Sequence, residues 1–111
     1  MTKVLFVCLG NICRSPMAEY IFKDIVAKNK KEKNFYISSA ATSTEEIGND
    51  MHYGTKEKLI EHNVPFQKHI AKKLTKEDYN KYDYIIGMEN SNIVRIKAIV
   101  GEDTENKIYK L

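Results

Sequence analysis

The sequence has no tryptophan, only two cysteines and two prolines, and no long apolar run. Cys8 and Cys13 are too few to staple a secreted scaffold, and with His52, His62 and His69 scattered they form no zinc-ligand spacing. No stretch approaches the roughly 20 apolar residues that span a bilayer. The segment Val4-Leu5-Phe6-Val7 lacks the charged start and small-residue cleavage site of a secretory signal. Nor does one charge dominate: 18 basic and 15 acidic residues leave a net +3, a mixed surface rather than the concentrated basic face of a nucleic-acid binder. The densest basic run, Lys28 to Lys33, is broken by Asn29 and Glu32 and reads as a solvated helix end and loop. These absences predict a cytoplasmic protein with reduced thiols and no metal, cofactor, membrane or nucleic acid among its partners.

The 111 residues, 42% of them hydrophobic, suffice for one packed core and predict a single domain over 1–111. Lys3 to Cys8 is a β-branched and aromatic run, the pattern of a strand buried on both faces and central in its sheet. Gly10 and Asn11 break it. Ser15-Pro16 then reads as N-cap and first residue of a helix to about Lys28, with Met17, Ala18, Tyr20, Ile21, Ile25 and Val26 as its apolar stripe. A second strand is expected over Phe35–Ala41, followed by a polar loop through Asn49 and Asp50. A second helix is expected over Tyr53–His62 with Leu59 and Ile60 inward, and a short helix capped at Thr75-Lys76-Glu77-Asp78. Tyr82–Met88, Asn90–Val100 and Lys107–Leu111 predict strand, helix and strand. Strands separated by helices require right-handed crossovers, so the class is α/β: a parallel sheet of four to five strands with helices on both faces. No helix follows the last strand, and the domain is expected to be incomplete at its C-terminus, with an uncovered sheet face through which copies can associate.

The segment Cys8-Leu9-Gly10-Asn11-Ile12-Cys13-Arg14-Ser15 lies between a buried strand and a helix start. A loop there can curl with successive backbone N–H groups inward, an anion nest closed by the helix N-terminus. Gly10 permits a positive φ, and Asn11 is among the few other residues that tolerate one. The same N–H groups favour the thiolate of Cys8, making it a nucleophile. Arg14 offers a planar fork that matches two phosphoryl oxygens, which a lysine cannot do. Ser15, besides capping the helix, can donate to the sulfur. A cysteine alone at a strand end is usually an inert small hydrophobe; Gly10, Asn11, Arg14, Ser15 and Pro16 together reverse that reading. Cys13 either packs under the loop or serves as a resolving thiol that pairs with Cys8 on oxidation.

Residues 7–16, Val-Cys-Leu-Gly-Asn-Ile-Cys-Arg-Ser-Pro, closely resemble the signature of the low-molecular-weight protein tyrosine phosphatase family. The likeness continues through Ser39 to Ser43, Ile47 to Asn49, Thr75 to Tyr79, Asp83 to Met88 and Asn106 to Ile108. The resemblance implies a flavodoxin-like doubly wound sheet, Cys8 as nucleophile, Arg14 as phosphate clamp, a phosphocysteine intermediate and no metal. It implies a buried network of Asn11, Ser15, Ser39 and His69 supporting the loop, although His69 also reads as an ordinary satisfied loop residue. Phosphorylated proteins or small aryl phosphates are the implied substrates, with inorganic phosphate or sulfate as ligands. Ile12 favours aryl phosphates, since relatives acting on phosphoarginine carry threonine there.

Two positions depart from the family. The aromatic wall of its cleft corresponds to Glu45, or Thr44 if the loop is shifted; a glutamate there either disfavours acidic peptides or is simply solvated. The family's Asp-Pro general acid has no counterpart, because neither Pro16 nor Pro65 follows an aspartate. Glu102 and Asp103 precede the last strand and read as solvated turn residues. Proton donation contributes about 10²–10⁴-fold, so weak catalysis is expected. A phosphate or oxyanion module without turnover, and a thiol redox protein using Cys8 and Cys13, are the competing readings.

Overall fold

In a computed structural model describing residues 1–111, the first apolar run becomes strand β1 (Thr2–Cys8). It pairs in parallel with β2 (Phe35–Ala41) on one side, Cys8 opposite Ala41, and with β3 (Tyr84–Gly87) on the other, Val7 opposite Gly87. The strand β4 (Ile108–Lys110) joins the outer side of β3, giving the order β2-β1-β3-β4. The sheet is parallel throughout, with β1 central and four strands in all. Successive side chains of a strand point to opposite faces, so β1 feeds two cores. Leu5 and Val7 pack with Leu74, Tyr82, Ile85, Ile96 and Val100 beneath α4 (Asn90–Val100). Val4 and Phe6 pack with Val26 and Ile37 beneath α1 (Arg14–Lys28). A third cluster of Tyr20, Met51 and Leu59 ties α1 to α2 (Tyr53–Glu61) and to the loop before it. The fold is the expected α/β sheet with helices on both faces.

Several local expectations change. The first helix begins at Arg14, with Cys13 as N-cap and no side-chain cap, so Ser15 does not cap it. The first intrahelical bond runs from Met17 N to the Cys13 carbonyl at 3.1 Å. Pro16 therefore lies among the residues whose N–H would be unpaired anyway, and it costs the helix nothing. The apolar stripe of α1 also divides: Tyr20 and Val26 are buried, whereas Ile21 and Ile25 are 40% and 49% exposed. Buried places near its N-terminus go to Ser15, Pro16 and Glu19, which lie behind the loop that follows β1. Leu59 is buried but Ile60 is not, because consecutive residues of a helix point about 100° apart. The helix expected from Thr75 is the single turn α3 (Asp78–Lys81), with Asp78 Oδ2 accepting from Thr75 N at 2.9 Å.

Gly87 lets α4 close onto the sheet. A Cβ there would stand 2.9 Å from Ile93 Cδ1 and 3.1 Å from Asn92 Cβ. On the α1 side, Phe6, Ala18, Ile21, Phe22, Ile25 and Leu111 line a shallow apolar hollow of about 240 Å³ that no helix covers.

Candidate functional site

In a parallel sheet every strand points the same way, so the loops after β1, β2 and β3 meet at one edge. Residues 8–15 form the first of these loops, and its backbone is turned in a consistent direction. The carbonyls of Cys8, Leu9 and Ile12 accept from Thr42 N (3.0 Å), Ser43 N (3.0 Å) and His52 N (2.8 Å), all outside the loop. The amides of Leu9, Gly10, Ile12 and Cys13 donate to no protein group. With α1 beginning at Arg14, the amides and the helix N-terminus present partial positive charge on the same side, the arrangement that binds anions.

Asn11 holds this shape. It is fully buried with φ 58°, Nδ2 donating to Ser15 Oγ at 2.8 Å and Oδ1 accepting from Lys72 N at 3.1 Å. Its carbonyl lies 2.6 Å from His69 Nε2, and since a carbonyl can only accept, that nitrogen carries the proton. Asp50 braces His69 in turn. Its Oδ1 accepts from His69 N at 3.0 Å and from Met51 N at 2.7 Å, and its Oδ2 pairs with Lys56 Nζ at 2.6 Å. Hydrogen bonding to Lys56 first, and then to the His69 amide, pulls the Asp50 carboxyl down to about 2.

Cys8 Sγ lies at the centre, 3.3 Å from Asn11 N and 2.9 Å from Ser15 Oγ, with Cys8 5% exposed. A thiolate has no proton to give, so in that state the Ser15 hydroxyl donates to sulfur while its oxygen accepts from Asn11. Arg14 stands at the exposed lip as the first helical residue. Its Nη1 and Nη2 donate to Glu89 Oε2 (3.2 Å) and Oε1 (3.0 Å). The hydrogen bond with Glu89 raises the Arg14 guanidinium above its ordinary value; burial opposes this, and the nearby Glu89, Cys8 and Cys13 add to it. The same contact lowers the Glu89 carboxyl.

The predicted site residues are therefore together, with exceptions. Ser39 does not join Asn11, Ser15 and His69; its Oγ donates to Glu19 Oε1 at 2.5 Å, and Glu19, only 6% exposed, also pairs with Lys23. Gly10 has no positive φ, and a Cβ there would meet Glu46 Cγ at 3.3 Å, so close approach of the 42–52 segment is its constraint. Cys13 is exposed rather than packed under the loop. Thr44 and Glu45 are exposed in the loop beyond β2. Glu102 and Asp103 lie before β4, at the opposite edge of the sheet. Asp103 is not merely solvated: it accepts from Tyr79 Oη (2.6 Å), Lys107 N (2.8 Å) and Ile108 N (3.1 Å), closing that turn. No three His, Cys, Asp or Glu side chains cluster as metal ligands do.

Glu19, Asp50 and Glu89 are the site residues that sequence reasoning missed. Glu19 follows Ser15 by four positions and so shares its helix face. Glu89 follows the strand next to β1, which places a carboxylate on the same edge as Cys8. Asp50 carried no comparable signal.

The model of the family described as low molecular weight phosphotyrosine protein phosphatase matches residues 3–111. The mouse protein of that description is 50% identical over 90 residues, 81% of this chain but 56% of its own length. The crystal structure of YfkJ from Bacillus subtilis superposes with a TM-score of 0.95 at 41% identity, covering 99% of this chain and 69% of that one. The structure of Vibrio vulnificus Wzb in complex with benzylphosphonate superposes with a TM-score of 0.83 at 28% identity, covering 96% of this chain and 70% of that one. The chain thus spans little more than half the length of its mouse relative. With Cys8, Asn11, Arg14 and Ser15 gathered in one loop on a shared flavodoxin-like fold, the chain belongs to the low molecular weight phosphotyrosine protein phosphatase family.

Proposed function

We propose that this chain carries the nucleophile and phosphate nest of a cysteine-based phosphomonoester hydrolase whose substrates are phosphotyrosine in proteins and small aryl phosphates. The observation that carries the reading is the loop from Cys8 to Ser15. Six of its amides, those of Leu9, Gly10, Ile12, Cys13, Arg14 and Ser15, are free of protein partners, its sulfur lies 2.9 Å from the Ser15 hydroxyl, and a guanidinium stands at its lip. In the first step the Cys8 thiolate forms an S–P bond, the P–O bond to the leaving group breaks, and the freed oxygen takes up a proton. Water then attacks the phosphocysteine, restoring the thiolate, with the Ser15 hydroxyl steadying the departing sulfur. Arg14 and the amides stabilise the charge that develops on the equatorial oxygens.

The benzylphosphonate held by Wzb supports an aryl ligand, and Ile12 beside the nest agrees with an aromatic leaving group. An ester whose leaving group is acidic departs without needing a proton, so it reports on the nucleophile and the nest of this loop alone. A reducing cytoplasm suits a function that needs Cys8 as a thiolate, and a second copy is the partner that the uncovered apolar face favours. The test is rapid mixing with p-nitrophenyl phosphate. Nitrophenol should appear in a burst matching the protein concentration, with a phosphorylated Cys8 trapped on acid quench, and Cys8→Ser should abolish both. A folded protein that shows saturable phosphate binding but no burst and no phosphocysteine would leave only an oxyanion-binding module.

A further inference from the structure

We propose that Glu89 is a positioning residue: its carboxylate holds both terminal nitrogens of Arg14 so that the guanidinium is oriented at the mouth of the nest before an oxyanion arrives. The inference rests on reading residues 8–15 as a phosphoryl site. Arg14 is 54% exposed along its side chain and has no other hydrogen-bond partner in the protein, so without Glu89 it would be a free rotor. Glu89, by contrast, rises from a fixed base. It is the N-cap of α4, its N–H and that of Met88 both donate to Asn92 Oδ1 (3.0 and 3.1 Å), and Asn92 is 1% exposed. Ser91 Oγ donates to the same Oε1 that accepts from Arg14, at 3.1 Å, which narrows the rotamers open to the carboxylate.

The geometry of the pair leaves the clamp usable. Each terminal nitrogen spends one of its two N–H groups on Glu89, so one N–H on each and the Nε–H are left for phosphoryl oxygens. The negative charge of Glu89 opposes a dianion, but Arg14 lies between the two and balances it. Ion pairs as exposed as this one, with side chains 54% and 51% accessible, contribute little to folding. The ion pair itself therefore adds little to stability; the separate structural role of the Glu89 side chain is the capping box it forms with Asn92 at the start of α4, for which the Arg14→Ala background below is the control.

Calorimetric titration of the whole 111-residue chain with inorganic phosphate and with orthovanadate, which forms a five-coordinate adduct on a thiolate, separates the possibilities. Immobilising a flexible side chain changes affinity roughly threefold to tenfold, and Glu89→Ala should weaken vanadate by that factor and phosphate by less. Glu89→Gln, which keeps an acceptor, should fall between. In an Arg14→Ala background, Glu89→Ala should cause no further loss. The proposal is overturned if E89A binds vanadate as tightly as the parent or more tightly, since Glu89 would then be neutral or a competitor for Arg14. It is equally overturned if E89A costs the same without Arg14, which would place its effect in α4. A parent chain that binds neither anion would sink the nest reading itself, an outcome distinct from a parent that binds and a variant that matches it.

Discussion

At φ 58° Asn11 occupies backbone that costs an ordinary L-residue roughly 1–2 kcal/mol, and its two side-chain ends serve groups on different segments. Asn11→Ala keeps the strain, removes the acceptor of the Lys72 amide, and leaves Ser15 Oγ with the Cys8 sulfur as its one remaining partner. A loss of about 2–4 kcal/mol is expected in urea denaturation, with oxyanion binding lost as well. Asn11→Gly relieves the backbone but not the hydrogen bonds, so it should recover part of the stability and little of the binding. If N11A and N11G unfold at the same urea concentration, the strain argument fails. The residue type announced its backbone in the sequence, because few side chains other than glycine tolerate a positive φ. What it holds was not legible. The partners at His69 and Lys72 lie 58 and 61 positions away, and only the closed sheet brings them near. Ser39 shows the converse: it was expected beside Asn11, Ser15 and His69, but its hydroxyl goes to Glu19, a partner that depends on how α1 lies across β2.

Among the elements, α4 spans Asn90–Val100 as its spacing predicts, and β2 likewise matches its expected bounds. The start of α1 did not, because a Ser-Pro pair carries a strong N-cap signal in isolation and this Ser is drawn to the sulfur instead. Between elements, Asp50 joins the loop after β2 to α2 through Lys56 and to the segment before α3 through His69. Its folded value, near 2 against 3.8, is depressed, so the stability it contributes is fully present above the unfolded value and lost as pH falls through the folded one. The difference in unfolding free energy between the parent and Asp50→Asn should be constant above about pH 5 and shrink progressively towards pH 2. Urea titrations of both proteins at a series of pH values measure it. A difference that does not change over that range would show that the Lys56 and His69 contacts contribute nothing linked to protonation.

For the whole molecule, one face of the sheet is closed by α4 and the other only partly by α1. Tyr84 and Tyr109, 44% and 47% exposed, pack against each other on the neighbouring strands β3 and β4, and Ile21, Ile25 and Leu111 line the hollow beside α1. Apolar surface gathered in this way drives association. Sedimentation velocity tests the pairing of copies proposed above: self-association of this 111-residue chain that Ile21→Lys with Ile25→Lys suppresses, without lowering the thermal midpoint, supports it. Association unchanged in that double variant would place the contact elsewhere. The long reach of the bonds around Asn11 also has a meaning in time. When residues 8–15 leave a ribosome, His69 and Lys72 have yet to be made, and at about 5–20 residues per second the interval is roughly 3–12 s. For those seconds Cys8 is an ordinary exposed thiol in an unformed loop; its reactivity arrives with the second half of the chain.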